Sequence, residues 1–266
     1  MKKIVVIGVG GVGMAHVVGA VRSGYEIVSI VDKNKDILER CKKEWKNVWD
    51  KITEECTINI NCKYFTDVEN LREKIDFNYC IIATPPNTHI SIIKKLREFY
   101  FGNILVEKPI SNNIIEYNKD IFYNVYVSSE WIYHSKIKNL NEINSLKMQF
   151  MKSSTTKWDN YLVAACDFIP HFISVILYKG YKIKDIKFIK FQKDFFKGEI
   201  ITDKNIIIIQ GDRDENGGFF INDKEFKWEL NLFDNQLNFN GLSIKDIIQS
   251  HNILIERVDN EFRKKN

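Results

Sequence analysis

The residues of this chain that most plainly carry chemistry are three glycines near its start, spaced as Gly8-x-Gly10-x-x-Gly13. A glycine at the first position allows a tight turn, the second lets the backbone approach a pyrophosphate, and the third lets a helix pack closely against a strand. The free amides at the start of such a helix face the phosphates, where the helix dipole favours negative charge. With Gly11 and Val12 completing it, the segment predicts a turn that binds a dinucleotide.

Asp32 predicts which dinucleotide is bound. It ends the apolar run that begins at Ile27, about twenty residues after Gly13. A carboxylate at that position accepts hydrogen bonds from both hydroxyls of an adenosine ribose and repels a 2′-phosphate. The expected cofactor is therefore NAD, and NADP is disfavoured.

The elements that must position these residues alternate between strand-like and helix-like segments, which is typical of a parallel α/β sheet. An apolar run at 4–7 leads into the glycine turn, and later buried runs end at Thr84-Pro85-Pro86 and at Glu107-Lys108-Pro109. Open α/β sheets bind their ligands at such strand ends. We also expect Ser111 to cap a short helix and residues 122–127 to form the last strand.

The second half of the chain has a different pattern, because apolar or alternating runs follow one another with turn-rich stretches between them. This pattern predicts a mostly antiparallel sheet. The predicted strands are 146–151, 183–191, 206–209, 219–221 and 226–232. Helices are predicted near 166–178 and over 243–262.

Composition sets limits on the function. The chain has 266 residues, of which 44% are hydrophobic and 28% charged, and a formal net charge of +4. That length accommodates two domains, and without a basic tract a nucleic-acid surface is disfavoured. The five cysteines show no paired spacing, which favours reduced thiols in a cytoplasmic protein and no metal site. We expect neither a membrane span nor a cleaved signal peptide, since the cofactor motif occupies the start.

Taken together, the motifs resemble those of one enzyme family. The glycine turn, Thr84-Pro85, Glu107-Lys108-Pro109 and Asp167-x-x-x-His171 occur in the order and spacing of the Gfo/Idh/MocA oxidoreductases. That family includes glucose–fructose oxidoreductase, inositol dehydrogenases and sugar-nucleotide dehydrogenases. The resemblance extends from residue 1 to about 178 and is generic afterwards.

The resemblance implies a two-domain fold. Residues 1–127 would form an α/β Rossmann domain that binds NAD. Residues 128–266 would form an α+β domain with a mainly antiparallel open sheet, which binds substrate and assembles the chain into a homodimer or homotetramer. That open sheet would otherwise expose an apolar face to water.

The resemblance also implies residue roles in hydride transfer between nicotinamide and a secondary hydroxyl or keto carbon of a sugar, polyol or nucleotide-linked sugar. Lys108 would bind the substrate oxygen or relay its proton, and His171 would be the general acid/base, since imidazole titrates near neutral pH. Asp167, one helical turn before His171, would contact substrate and tune the imidazole. The residues shaping the nicotinamide–ribose pocket would be Thr84, Pro85, Asn87 and Glu107.

Several residues depart from the family pattern near the expected substrate pocket. Ile169 takes a position that is commonly glycine, Pro170 stands beside His171, and Ser174 replaces a frequent aspartate. Glu130 stands where the family commonly places an arginine, so that the charge there is reversed. The catalytic residues Lys108, Asp167 and His171 are retained, but the substrate is left open.

Two other functions remain open at this point. The chain could be a non-catalytic NAD-binding sensor or regulatory protein on the same fold, which the changes around His171 favour and the retained Lys108 disfavours. It could also resemble biliverdin reductase and act on a linear tetrapyrrole.

Overall fold

The computed structural model describes residues 2–49, 62–72, 76–149, 164–213, 218–227 and 242–264. The chain divides into two compact units. One comprises the described residues up to 107 together with 118–128. The other comprises 108–117 and the described residues from 129 onwards. The assignment of cofactor binding to 1–127 and of substrate binding to 128–266 stays a prediction.

The first unit is built on a parallel sheet of six strands in the order β3-β2-β1-β4-β5-β6. The strands are β1 Lys3–Ile7, β2 Glu26–Val31, β3 Lys63–Phe65, β4 Tyr79–Ile82, β5 Asn103–Val106 and β6 Val125–Val127. The helices are α1 Gly11–Arg22, α2 Lys35–Trp49 and α3 Pro86–Arg97. Helical connections between parallel strands require strands that are buried on both faces, which explains the continuous apolar runs of β1 and β4.

The second unit carries a six-stranded sheet in the order β12-β11-β7-β10-β9-β8. Its strands are β7 Ser145–Gln149, β8 Ile183–Phe191, β9 Phe195–Thr202, β10 Ile206–Asp212, β11 Phe219–Ile221 and β12 Lys224–Phe226. All neighbouring pairs are antiparallel except β7 with β10. The helices are α4 Ser135–Lys138, α5 Ala164–Tyr178 and α6 Ile244–Arg263.

One face of this second sheet packs against helices and holds the core of the unit. Phe172 of α5, Phe196 of β9, Phe219 of β11 and Leu254 of α6 are all fully buried there. The fold class predicted from the sequence, a parallel α/β domain and an α+β domain with a mainly antiparallel sheet, is confirmed. No helix in the described part of the chain is long and apolar enough to cross a membrane.

The structure differs from the sequence predictions at the segment after Ser111 and at β9. The short helix expected after Ser111 is wrong, because the Ser111 hydroxyl accepts a hydrogen bond from the Asn113 amide and the segment runs on without a helix. Strand β9 was not predicted at all. Residues 150–151 and 228–232, placed in strands by the sequence pattern, lie outside the described residues.

The segment after Lys108 is held instead by side chains of α6. Asn252 accepts a hydrogen bond from the Ile115 amide and donates one to the Ile115 carbonyl, each at 2.8 Å. His251 contacts the Asn113 carbonyl through Nε2 at 3.1 Å. These bonds satisfy backbone groups that a helix would have paired internally.

Candidate functional site

The glycine turn of the first unit has the geometry that its sequence predicted. Gly8 has a φ of 85°, and a Cβ there would lie 2.7 Å from the Thr84 methyl group. A Cβ on Gly13 would lie 1.9 Å from the Gly8 carbonyl oxygen. Both positions therefore need glycine for the protein to fold, and together they bring α1 directly against the end of β1.

Gly10 and Gly11 are different, because the fold itself does not require them to be glycine. A Cβ on either would meet no atom within 4 Å, and Gly10 has an ordinary φ of −63°. The neighbouring Val12 is 50% exposed although it is apolar. Open space beside the first turn of a helix fits a ligand that approaches the backbone closely, as a pyrophosphate does.

Asp32 lies at the end of β2, on the same turn. Its carboxylate accepts a hydrogen bond from the Val9 amide at 3.0 Å and another from the Asn34 amide at 2.9 Å. These bonds fix the carboxylate beside the glycine turn, and the side chain is only partly buried. An ionised carboxylate also has further acceptor positions, which is what a ribose diol requires.

Thr84 and Pro85 form the link between β4 and α3. The Thr84 hydroxyl accepts a hydrogen bond from the Thr88 hydroxyl at 2.7 Å, and the Thr84 carbonyl lies 2.7 Å from Nε2 of the buried His89. Pro85 and Asn87 are exposed at the start of the helix. The structure thus brings Thr84 next to Gly8, while the cofactor roles of Thr84, Pro85 and Asn87 stay predictions.

Glu107 has a partner that the sequence did not indicate. Its carboxylate lies 2.6 Å from Nε2 of His16, and both side chains are almost fully buried. This pair joins the middle of α1 to the end of β5. Since breaking a buried pair leaves an uncompensated polar group, Glu107 has a structural role in addition to the cofactor role predicted for it.

Lys108 and Asp167 come together in the second unit. Lys108 Nζ lies 3.4 Å from one Asp167 oxygen, and the Arg213 guanidinium donates to the other at 3.0 Å. Burial would raise the pKa of Asp167, but Lys108 and Arg213 outweigh it and hold that pKa below 3.8. Asp167 is therefore a carboxylate clamped between two cations.

Sequence reasoning missed Arg213 because it lies within a turn-rich stretch. The fold brings it to Asp167 because β10 ends one residue earlier, at Asp212. Gly211 contributes to this, since a Cβ there would lie 2.6 Å from the ring of Phe168 on α5. Arg213 is anchored further by its amide, which donates to the Asp194 carbonyl at 2.9 Å.

His171 lies on α5 one turn after Asp167, as predicted, but the partner of its imidazole is Glu130. Nδ1 of His171 lies 3.3 Å from a Glu130 carboxylate oxygen, and both residues are buried. Burial lowers the pKa of His171 well below 6.5, and the positive charge of Lys108 lowers it further. The imidazole is therefore neutral near pH 7 and can accept a proton.

Within the described ranges, no three His, Cys, Asp or Glu side chains are grouped so as to hold a metal ion.

Comparison with known proteins gives one family match. Residues 2–120 match the Gfo/Idh/MocA family, described as an oxidoreductase family with an NAD-binding Rossmann fold. No curated protein matches the chain by sequence.

Solved structures of similar fold span nearly the whole chain. Scyllo-inositol dehydrogenase from Lactobacillus casei is 13% identical with a TM-score of 0.76, covering 98% of this chain and 97% of that one. Myo-inositol dehydrogenase from the same organism, in complex with NAD(H) and myo-inositol, is 12% identical with a TM-score of 0.75, covering 100% and 96%. The WlbA (WbpB) dehydrogenase from Thermus thermophilus, in complex with NAD and UDP-GlcNAcA, is 12% identical with a TM-score of 0.69, covering 96% and 94%. At these identities the likeness shows a shared fold.

Proposed function

We propose that the protein transfers hydride between NAD and a secondary hydroxyl or keto carbon of a sugar, polyol or nucleotide-linked sugar. The proposal is supported by the match of residues 2–120 to the Gfo/Idh/MocA oxidoreductase family. The family, the class of enzyme and the NAD cofactor predicted from the sequence all agree with the description of the family that residues 2–120 match. The substrate and the residue roles are part of the proposal.

The observation that carries the proposal is the polar cluster of the second unit. Lys108 is far from Asp167 in the sequence, yet the fold brings its Nζ to the Asp167 carboxylate. His171 follows Asp167 by one helical turn, and burial keeps its imidazole neutral. A fixed cation and a neutral imidazole are the two groups that oxidation of an alcohol needs.

The residues of the first unit fit an NAD molecule. Gly10 and Gly11 leave open space beside the backbone amides of α1, which would bind the pyrophosphate, and Asp32 would accept hydrogen bonds from the adenosine ribose. NAD supplies the hydride acceptor when an alcohol is oxidised, and NADH supplies the donor in the reverse direction.

The residues of the second unit would handle the substrate oxygen. Lys108 Nζ would donate a hydrogen bond to that oxygen and stabilise the negative charge that develops on it. His171 would accept the hydroxyl proton as the hydride leaves the adjacent carbon, so that a ketone, a reduced cofactor and an imidazolium are formed together. Asp167 would hold the lysine in place through its hydrogen bond.

The charges of the cluster favour a neutral group at the reacting position. Among the described residues, the positive charges of Lys108 and Arg213 lie beside the carboxylates of Asp167 and Asp194. Because these cations are paired with carboxylates, the cluster suits a hydroxyl or keto group better than a carboxylate or phosphate. The myo-inositol and UDP-GlcNAcA bound by the structural neighbours both offer ring hydroxyls, and both belong in the substrate screen.

The proposal includes assembly into a homodimer or homotetramer through the second sheet. Ile207 and Ile209 of β10 are buried in the core, so that Ile206 and Ile208 point to the opposite face, where they are 54% and 40% exposed. Apolar side chains in a row on an open sheet favour a partner surface. The light-scattering mass of the purified protein should exceed that of the monomer, and lysine at both exposed positions should reduce it.

A cytoplasmic location is the last part of the proposal. The described cysteines, namely Cys41, Cys62, Cys80 and Cys166, are not in disulfide bonds. Reduced cysteines are typical of proteins kept in a reducing compartment.

The experiment that tests the function begins with mass analysis of any nucleotide released by heating the purified protein. The protein is then incubated with NAD and a panel of polyols, sugars and sugar nucleotides, and NADH formation is followed by absorbance. We expect oxidation of at least one ring hydroxyl, lost in Lys108→Ala while NADH binding is retained. If NAD binds but no panel member is oxidised and Lys108→Ala keeps full biological activity, the protein is a non-catalytic NAD-binding protein. A spectral change with a linear tetrapyrrole alone would favour the biliverdin-reductase-like alternative.

A further inference from the structure

The backbone that follows Lys108 is held in place by one turn of α6. The Ile115 amide donates to the side-chain oxygen of Asn252, and the side-chain nitrogen of Asn252 donates to the Ile115 carbonyl, each at 2.8 Å. Ile115 is buried, so its backbone groups need partners within the protein. Because the two hydrogen bonds run in opposite directions between the same two residues, they fix both the position and the orientation of this part of the backbone.

His251, the neighbouring residue of α6, holds the same segment two residues earlier. Its Nε2 lies 3.1 Å from the Asn113 carbonyl oxygen, and the side chain is buried. Burial lowers the pKa of His251 to about 4, so the imidazole is neutral near pH 7 and carries a single hydrogen. Because a carbonyl oxygen can only accept, that hydrogen is on Nε2 and is donated to Asn113.

Between these contacts and Lys108 the chain has little freedom. Pro109 follows the lysine directly, and its ring fixes its own φ. Ile110 is buried, and the Ser111 hydroxyl accepts a hydrogen bond from the Asn113 amide at 3.0 Å. The position of Lys108 is therefore linked, through consecutive restrained residues, to the contacts with α6.

The next turn of α6 packs against α5, the helix that carries Asp167. Leu254 of α6 belongs to the same buried cluster as Phe172 of α5. One helix thus contacts the Lys108 segment through Asn252 and the Asp167 helix through apolar side chains. The two groups that α6 relates in this way, Lys108 Nζ and an Asp167 carboxylate oxygen, are 3.4 Å apart.

We propose that Asn252 and His251 are positioning residues for Lys108, which keep its ammonium group beside Asp167, where the substrate oxygen would bind. The inference rests on the proposed function and deepens it. Both residues act through the segment 109–117 rather than on the substrate itself. Since a displacement of about 1 Å at a reacting group can lower a rate roughly 10²-fold, a support at this distance from the lysine is enough to affect turnover.

The first test removes both hydrogen bonds of Asn252 and follows Lys108 chemically. Asn252→Leu keeps the branched shape of the side chain but has neither a donor nor an acceptor. We expect acetic anhydride to acylate Lys108 several-fold faster in this variant, because the ammonium group is released from Asp167, and mass spectrometry of the labelled peptide measures the rate. Asn205→Leu is the matched control. The Asn205 side chain donates to the Ile143 carbonyl at 3.0 Å in the same unit, and its loss should leave the labelling of Lys108 unchanged.

Variants of His251 keep the proposal testable if Asn252→Leu does not fold. His251→Gln keeps a donor for the Asn113 carbonyl, whereas His251→Leu has none. We expect Lys108 to be labelled faster in His251→Leu than in His251→Gln. Equal labelling of Lys108 in these two variants would overturn the proposal.

Kinetics of the same variants separate positioning from general destabilisation. In Asn252→Leu, kcat should fall by roughly 10- to 100-fold, while NADH affinity should change little because the proposed cofactor ligands are other residues. Asn205→Leu should lower the melting temperature without this loss of kcat. Unchanged Lys108 labelling or kcat in Asn252→Leu would contradict the proposal, and so would an equal loss of kcat in Asn205→Leu. If no alcohol is oxidised by any form of the protein, the proposed function fails, while the labelling of Lys108 still decides whether α6 positions it.

Discussion

The guanidinium of Arg213 donates a hydrogen bond to the Asp167 carboxylate across 3.0 Å, linking the end of β10 to the first turn of α5. The other oxygen of that carboxylate faces Lys108. The Asp167 carboxylate thus positions both Lys108 and Arg213. Of these two cations, only Lys108 belongs to a motif that was recognised in the sequence. Lys108 therefore depends for its position on a residue more than a hundred positions further along the chain.

Arg213→Met is expected to impair catalysis by loosening Asp167. The variant keeps much of the side-chain volume but removes one of the two cations that lower the pKa of the carboxyl group. We expect kcat/KM to fall by roughly 10-fold, because a charge-assisted hydrogen bond contributes about 1.5–3 kcal/mol. Steady-state kinetics measure this. Arg257→Met, which removes the similar ion pair with Asp185, is the control and should leave kcat/KM unchanged. Equal losses in both variants would indicate general destabilisation.

Lys108→Met tests the cation at the substrate oxygen. Removing a charge that stabilises the developing alkoxide should lower kcat by roughly 10²- to 10³-fold. NADH binding, followed by fluorescence titration, should change little because the proposed cofactor ligands are other residues. Lys94→Met, an exposed change on α3, is a lysine change outside the cluster and should be neutral. Wild-type turnover in Lys108→Met would contradict the assignment of this lysine.

Two glycine substitutions separate folding from binding. Gly10→Ala adds a methyl group where the protein has no atom within 4 Å, so that the melting temperature should hold while NADH affinity falls. Gly13→Ala places a methyl group 1.9 Å from a carbonyl oxygen and should destabilise the fold by about 1–3 kcal/mol or more. Thermal melts and NADH titrations of both variants measure the contrast. Unimpaired NADH binding in Gly10→Ala would mean that the pyrophosphate does not approach this turn.

These contrasts show why the glycine turn was predictable and the Arg213 contact was not. Gly8 needs a positive φ, and Gly13 allows α1 to pack closely on the turn. Because these two glycines are close together in the chain, they leave a local pattern in the sequence. The position of Arg213 depends on how α5 packs on β10, which no local pattern encodes. The same holds for the contact of Glu130 with His171.

Strand β9 escaped prediction for a different reason. Its centre reads Lys197-Gly198-Glu199, and charged residues around a glycine are typical of a turn. In the structure a Cβ on Gly198 would lie 2.3 Å from the Lys187 carbonyl oxygen of β8, so the glycine permits close strand pairing. Lys197 is exposed and Glu199 partly so, on the face opposite to the buried Phe196 and Ile200. The burial of one face therefore stabilises the strand, although the local sequence favours a turn.

Asp32→Asn should change the choice of cofactor. The amide keeps an acceptor for only one of the Val9 and Asn34 amides, and it loses the charge that favours a ribose diol and repels a 2′-phosphate. We expect NADH to bind roughly 10- to 100-fold more weakly, with NADPH gaining relative to it. Competitive titration of the two nucleotides measures the ratio. Asp36→Asn, an exposed change at the start of α2, is the control for net charge. An unchanged ratio would remove Asp32 from the ribose site.

Acid should destabilise the protein through its buried histidines. Burial lowers the pKa of His251 from 6.5 to about 4, although its hydrogen bond to the Asn113 carbonyl raises it somewhat. The unfolded chain therefore takes up a proton at a higher pH than the folded one. The contribution of this group to stability is complete above about pH 6.5 and is lost as the pH falls towards 4, by roughly 3 kcal/mol. His171, whose pKa is also lowered, acts in the same direction.

Urea unfolding at a series of pH values measures this loss. His251→Gln, which keeps a donor for the Asn113 carbonyl but does not titrate, should be less stable than the native protein at pH 7 yet lose less stability on acidification. The difference between the two slopes isolates His251 from the other titrating groups. Parallel slopes between pH 6.5 and 4 would mean that His251 takes up its proton in the folded protein as readily as in the unfolded chain. Its contact with the segment after Lys108 would then survive protonation. Any loss of stability in acid would have to come from other titrating groups.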